Sequence, residues 1–139
     1  MAELKRDKDW KVIQIKEEHH VDIARRAARE YAWLMGFGEI ETAFITTSVS
    51  ELAMNIFVHT AEKGTVTIRT VSMGEKKGLE IVFADQGPGI EDIERVLKGG
   101  YSTKGTLGIG LSGTKRMMDE LEIESELGRG TRIWIRKWL

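Results

Sequence analysis

Between Val21 and Ala61 apolar residues recur at helical spacing twice in succession, with only Gly36 and Gly38 to separate the two runs. Val21, Ala24, Ala28, Tyr31 and Met35 make the first stripe and predict a helix over 21–35. Ile45, Val49, Leu52, Ala53 and Ile56 make the second and predict a helix over 40–61. Glycine enters left-handed backbone without a Cβ penalty, so Gly36 and Gly38 are suited to end the first helix. Thr46, Thr47 and Ser48 weaken the propensity of the second, so burial has to hold it. Two helices in direct succession exclude a doubly wound fold, in which strands and helices alternate.

Beyond Ala61 the period changes to that of strands. Thr65 to Val71 and Leu79 to Ala84 alternate, which predicts a hairpin with a polar loop from Met73 to Gly78. Trp10 to Lys16 predicts a first strand, with Trp10, Val12 and Gln14 on one face. Glu91 to Leu97 suits a short helix, and Gly99 to Gly110 reads as a loop of the length that usually forms a lid or binding element. Ser112 to Leu121 predicts a last helix, with Thr114, Met117, Met118 and Leu121 turned inward. Glu122 to Leu127 and Thr131 to Arg136 predict a closing hairpin around Gly128-Arg129-Gly130. The order predicts an α+β two-layer sandwich, with helices on one face of a mixed, mainly antiparallel sheet.

The chain of 139 residues suits one domain over 1–139, with the charged segment 1–9 a disordered tail. It has no cysteine, which excludes disulfides, thiolate metal sites and cysteine nucleophiles. Lys and Arg number 21 against 22 Asp and Glu, so no basic excess points to nucleic acid. No apolar run approaches the roughly 20 residues that span a membrane. The charged start is not a secretion signal, so a cytoplasmic location is expected.

Three segments carry candidate chemistry. Asp85 follows a strand and opens the turn Asp85-Gln86-Gly87-Pro88-Gly89-Ile90. A carboxylate only accepts hydrogen bonds, so it can accept one from the amine of adenine but not face the carbonyl of guanine. Preference for ATP over GTP follows, with Gly87 and Gly89 leaving room for a base. Gly105, Gly108 and Gly110 precede a helix, whose free N–H groups can bind phosphates. Lys104 adds charge, and Ser102, Thr103 and Thr106 add hydroxyls. Glu51 and Asn55 lie four apart and share a helix face. The Asn55 oxygen can ligate Mg²⁺, which keeps most of its waters, and Glu51 can accept a proton from an attacking hydroxyl. Taken singly, the Asp85 segment reads equally well as a surface turn, while the glycine-rich loop reads more readily as a flexible connection and Glu51 with Asn55 as a common solvated polar pair.

Together, Glu51-x-x-x-Asn55, Asp85-x-Gly87-x-Gly89 and Gly105-x-x-Gly108-x-Gly110 resemble the three motif boxes of the GHKL ATPases, and Gly128-x-Gly130-Thr131 resembles their closing motif. The resemblance implies the GHKL (Bergerat) ATP-binding fold. Gly36-Phe37-Gly38, Ile45 to Ala53, Ala84 to Ile90, Gly100-Tyr101-Ser102-Thr103 and Lys137-Trp138-Leu139 more narrowly resemble the RsbT serine/threonine kinases, of the anti-sigma-factor kinase group. That implies a bacterial stressosome kinase that phosphorylates STAS-domain proteins, leaves them, and activates a downstream phosphatase or other signalling enzyme. It implies Glu51 as general base, Asn55 as Mg²⁺ ligand, and Asp85 reading adenine beside Gly87, Gly89, Ile90 and Thr131. Ser102, Thr103 and the run Lys104, Gly105, Thr106, Leu107, Gly108, Ile109, Gly110 and Leu111 would cover the phosphates. His59 matches a position near such sites but is read as structural, and His19 and His20 as solvated. Some relatives in the group are dimers, which leaves a homodimer open. The alternative is a non-catalytic, nucleotide-dependent anti-sigma factor or partner-switching module. A histidine-kinase catalytic domain is disfavoured, because no helix pair precedes the first helix.

Overall fold

The computed structural model describes residues 2–61, 63–87, 89 and 107–139. In chain order their elements are β1 (Leu4–Arg6), β2 (Lys11–Ile15), α1 (Glu18–Met35), α2 (Glu39–His59), β3 (Gly64–Met73), β4 (Lys76–Asp85), α3 (Leu107–Met117), β5 (Glu120–Glu126) and β6 (Gly130–Trp138). Every pairing among them is antiparallel, so no parallel pair of a mixed sheet is found among the described residues. The sheet runs β3, β4, β6, β5, and β1 and β2 share the far edge of β3. β2 takes residues 64–68 of β3 and β1 takes 71–73, so the segment expected to be a disordered tail holds a strand.

Alternation decides which strand face is buried. Ile13 and Ile15 on β2 enter the core, whereas Trp10 and Val12 stay exposed. Val66 and Ile68, Leu79, Ile81 and Phe83, and Ile133 and Ile135 continue that buried face across the sheet. α1 adds Val21, Ala24, Ala28 and Ala32, and α2 adds Ile45, Val49, Leu52, Ala53 and Ile56. The small α1 residues let that helix lie close against α2, which packs in turn against α3 and the sheet. The described helices thus cover one sheet face. Tyr31 and Met35 from the expected α1 stripe are only partly buried.

Helix ends follow local chemistry. His20, expected to be solvated, caps α1: its Nδ1 accepts the N–H groups of Lys16 and Glu17, both at 3.0 Å. Gly36, at φ 95°, donates to Trp33 O and Phe37 donates to Ala32 O, the two bonds of a Schellman turn. Gly38 instead begins α2 from extended backbone. At the other end of α2, Lys63 Nζ donates to the carbonyls of Phe57 and Thr60 at 2.8 and 2.9 Å. Lys63 itself holds φ at 64°, so these bonds fix an unfavourable backbone. The β3–β4 turn is tighter than expected. Met73 pairs with Lys76, and Gly74 supplies positive φ at the first of the two turn positions. α3 starts at Leu107 rather than Ser112 and ends by Met117, because its glycines are helical.

The uncovered sheet face holds a buried ion cluster. Glu80 is 1% exposed and accepts bonds from Arg6 at 2.8 and 3.1 Å and from Arg136 at 2.8 Å. Arg136 also donates to Glu120 and Glu122, at 3.0 and 3.2 Å. None of Trp10, Trp33, Trp134 and Trp138 belongs to the core.

Candidate active site

The site lies where the ends of β4 and β6 meet the middle of α2. Asp85 ends β4 and pairs across the sheet with Gly64 on one side and Thr131 on the other. Both neighbours approach too closely for a side chain at the glycines. A Cβ at Gly64 would lie 2.1 Å from Ala84 O, and one at Gly130 would lie 2.1 Å from Asp85 O. Gly130 has φ +117°, which glycine alone takes readily. The Asp85 carboxylate is therefore carried on a backbone fixed from both sides. The Gly87 N–H donates to its Oδ1 at 2.8 Å. Burial pushes the carboxyl up, against the backbone hydrogen bonds of Gly87 and Thr131, which favour the charged form.

The glycines of the turn meet protein atoms. A Cβ on Gly87 would fall 2.6 Å from Thr60 Cγ2, and one on Gly89 would fall 2.6 Å from Glu126 O. Gly89 also has φ +82°. Thr60 is buried and cannot easily yield, since its hydroxyl donates to Ile56 O at 2.7 Å. Thr131 shares a 2.8 Å hydroxyl bond with Ser125. Thr60 and Ser125 belong to no motif; only their contacts reveal them. Asp85, Thr60, His59, Gly89, Thr131 and Asn55 are among the residues lining a cavity of about 50 Å³.

Asn55 also borders a groove of about 800 Å³ between α1 and α2, where Glu51, Ser50, Met54 and His19 stand. Asn55 is thus on the wall between the Asp85 cavity and the Glu51 groove. Its side chain is buried, and its Nδ2 has no hydrogen-bond partner among the described residues. Gly110, from the third sequence segment, closes on this pair: a Cβ there would lie 3.1 Å from Asn55 Nδ2 and 3.5 Å from Glu51 Oε2. An unpartnered amide beside an exposed carboxylate fits Mg²⁺, since rotating the amide presents its oxygen. No cluster of three or more His, Asp or Glu side chains able to hold a metal occurs among the described residues.

The structure thus brings together Glu51, Asn55, Asp85, Gly87, Gly89, Gly110 and Thr131. Leu111 departs from the expectation. It lies on α3, is 0% exposed and belongs to the core. Ile90, Ser102, Thr103, Lys104, Gly105 and Thr106 lie outside the described residues, as does the expected helix over 91–97. Leu107, Gly108 and Ile109 form the first turn of α3, which supplies helix-end N–H groups near Gly110. No described helix is long and apolar enough to cross a membrane.

Residues 41–139 match the family described as histidine kinase-, DNA gyrase B-, and HSP90-like ATPase. Serine/threonine-protein kinase RsbT of Bacillus subtilis (strain 168) is 47% identical over 131 residues, covering 94% of this chain and 98% of the relative. Anti-sigma F factor of Thermoanaerobacter sp. (strain X514) is 36% identical over 104 residues, 71% of each chain. The catalytic domain of histidine kinase ThkA shares the fold, with a TM-score of 0.55 at 17% identity over 94% of this chain and 97% of that one. Its fold, its motif residues gathered at one site and these similarities place one conclusion beyond the individual motifs: the chain belongs to the histidine kinase-, DNA gyrase B- and HSP90-like ATPase family, among relatives of the serine/threonine kinase RsbT.

Proposed function

We propose that the protein is an ATP- and Mg²⁺-dependent serine/threonine kinase of STAS-domain proteins, which then leaves its substrate to activate a downstream phosphatase or other signalling enzyme. The observation that carries this reading is the position of Asn55, on the wall shared by the Asp85 cavity and the open Glu51 groove. Adenine held at Asp85 directs the phosphates past Asn55, and a protein hydroxyl entering the groove meets Glu51 at the far end. Glu51 accepts the hydroxyl proton as that oxygen bonds to the terminal phosphorus and the bond to ADP breaks. When bound, Mg²⁺ neutralises charge on the phosphates, and Asn55 is its protein ligand. The exposure of Glu51 suits a base that works on a second protein.

The similarity to anti-sigma F factors favours one further reading, in which nucleotide only sets the shape of a sigma-binding surface. One experiment separates the two. The wild-type chain should transfer radiolabel from ATP to a serine or threonine of its STAS protein. Glu51→Ala should abolish transfer while keeping ATP affinity within about threefold, because the base acts in the transition state. Undiminished transfer by Glu51→Ala would refute the assigned role. No transfer by wild type, together with a tight sigma-factor complex, would favour the second reading.

A further inference from the structure

The connection from α2 to β3 departs from the way helices ordinarily end. The last carbonyls of a helix have no partner within it, and a glycine in left-handed backbone is a common closure. α1 ends in this way at Gly36, with φ 95°. After α2 the left-handed residue is Lys63, at φ 64°, the one non-glycine residue with positive φ among the described residues. A Cβ makes that backbone costly, whereas glycine takes it freely. The lysine side chain must therefore supply something that a glycine could not. A cationic cap alone does not explain it, because a lysine in ordinary backbone in the last turn of α2 would also complement the helix end.

The contacts of Lys63 show what the side chain supplies. Its Nζ reaches back to the carbonyls of Phe57 and Thr60, at 2.8 and 2.9 Å. It also lies 4.8 Å from the centroid of the Phe57 ring, which is packed against the core. The ammonium thus has a fixed seat on α2, while its own backbone leads directly into β3. Both segments that it joins touch the Asp85 turn. On the helix side, Thr60 lines the Asp85 cavity and sets its Cγ2 2.6 Å from the place of a Cβ on Gly87. On the strand side, Gly64 pairs with Asp85, and a Cβ there would lie 3.1 Å from Asp85 Cα.

We propose that Lys63 is a positioning residue for the nucleotide base: its ammonium ties the helix wall of the Asp85 cavity to the strand wall and so fixes the turn held between them. This role rests on the reading of that cavity as the adenine site. The described lining of the cavity does not include Lys63, so the lysine acts through Thr60 and Gly64 and not on the nucleotide. Without the tie, the Gly87 N–H that orients the Asp85 carboxylate at 2.8 Å loses its fixed backing on Thr60.

Two substitutions separate this role from simple capping. Lys63→Met keeps the strained backbone and loses both bonds; Lys63→Gly loses the same bonds and relieves the strain. Titration calorimetry with ATP and with ADP, beside thermal melting of the nucleotide-free chain, reads both. Each variant should bind ATP about tenfold more weakly than wild type. The loss for ADP should match within about twofold, because it arises at the base and not at the phosphates. Lys63→Gly should nevertheless melt at least about 3 °C above Lys63→Met. Lys63→Arg, which keeps a cationic donor, should bind ATP within about threefold of wild type. Asp85→Asn tests the cavity reading separately. Wild-type affinity in both Lys63 variants, with loss in Asp85→Asn, would overturn this inference alone. Affinity that recovers in Lys63→Gly along with the melting temperature would also overturn it, leaving Lys63 a cap of the fold. Wild-type affinity in all of them, Asp85→Asn included, would overturn the inference and the cavity reading together.

Discussion

Replacing Asp85 by Asn should change which purine the protein accepts. The Gly87 N–H at 2.8 Å holds one side of this group to an oxygen. An asparagine in the same place would keep its single oxygen there and turn its NH₂ toward the base. Adenine presents an amine at that point, so donor would face donor. The lost charge-assisted bond is worth about 1.5–3 kcal/mol, and the unsatisfied buried donor costs about 1–3 kcal/mol more. The combined loss, about 2.5–6 kcal/mol, corresponds to about two to four powers of ten in affinity. Guanine offers a carbonyl oxygen instead and should bind better to the variant than to wild type. Titration calorimetry of both proteins with Mg-ATP and Mg-GTP reads the exchange. ATP affinity within about threefold of wild type, or no gain for GTP, would show that Asp85 does not read the base.

Four other outcomes follow from the same structure. Burial raises the Asp85 carboxyl, so the charged form opposes folding: stability from this group is complete below the ordinary carboxylate value and is lost as pH rises through the raised one. Nucleotide-free Asp85→Asn should therefore melt above wild type at pH 7 by a few degrees, with the difference vanishing in acid; thermal scans across pH read this. Gly87→Ala should lower ATP affinity at least about tenfold in the same titration, because the new Cβ would lie 2.6 Å from a Thr60 methyl whose hydroxyl is tied down. Asn55→Ala should abolish phosphoryl transfer and the dependence of ATP affinity on Mg²⁺, measured with and without chelator. Arg136→Met should cost about 3–5 kcal/mol in urea unfolding, since it leaves the buried Glu80 carboxylate with Arg6 alone; less than about 1 kcal/mol would mean that the cluster is solvated.

Periodicity made much of this fold legible, and the reason lies in where it is strongest. Ile45, Val49, Leu52, Ala53 and Ile56 repeat over several turns, and all are buried. β1 has only three residues and no alternating apolar face, so nothing local distinguishes it from a charged tail. The start of α3 is hidden by Gly108 and Gly110, which are poor helix formers. Glu51, Asn55 and Asp85 stand out in the sequence because each motif is contiguous or has helical spacing. The contact of Gly110 with Asn55, and of Gly87 with Thr60, joins segments more than twenty residues apart and leaves no local trace. Glu80 and Arg136 read as solvent-facing charges in alternating strands. Their burial depends on partners from β1 and β5, which a strand pattern does not contain.

β6 lies between β4 and β5 although it follows both in the chain. A nascent chain can form α1, α2 and the β3–β4 hairpin early, but Asp85 has Thr131 beside it only after that last strand inserts. On the proposed role of Asp85, ATP cannot serve as a template for the partly synthesised domain. Its stabilising free energy, which grows as the logarithm of ATP concentration over Kd, reaches only chains that have already closed their sheet. During translation the protein must rely on its own core for protection, and the nucleotide acts afterwards as a ratchet against reopening.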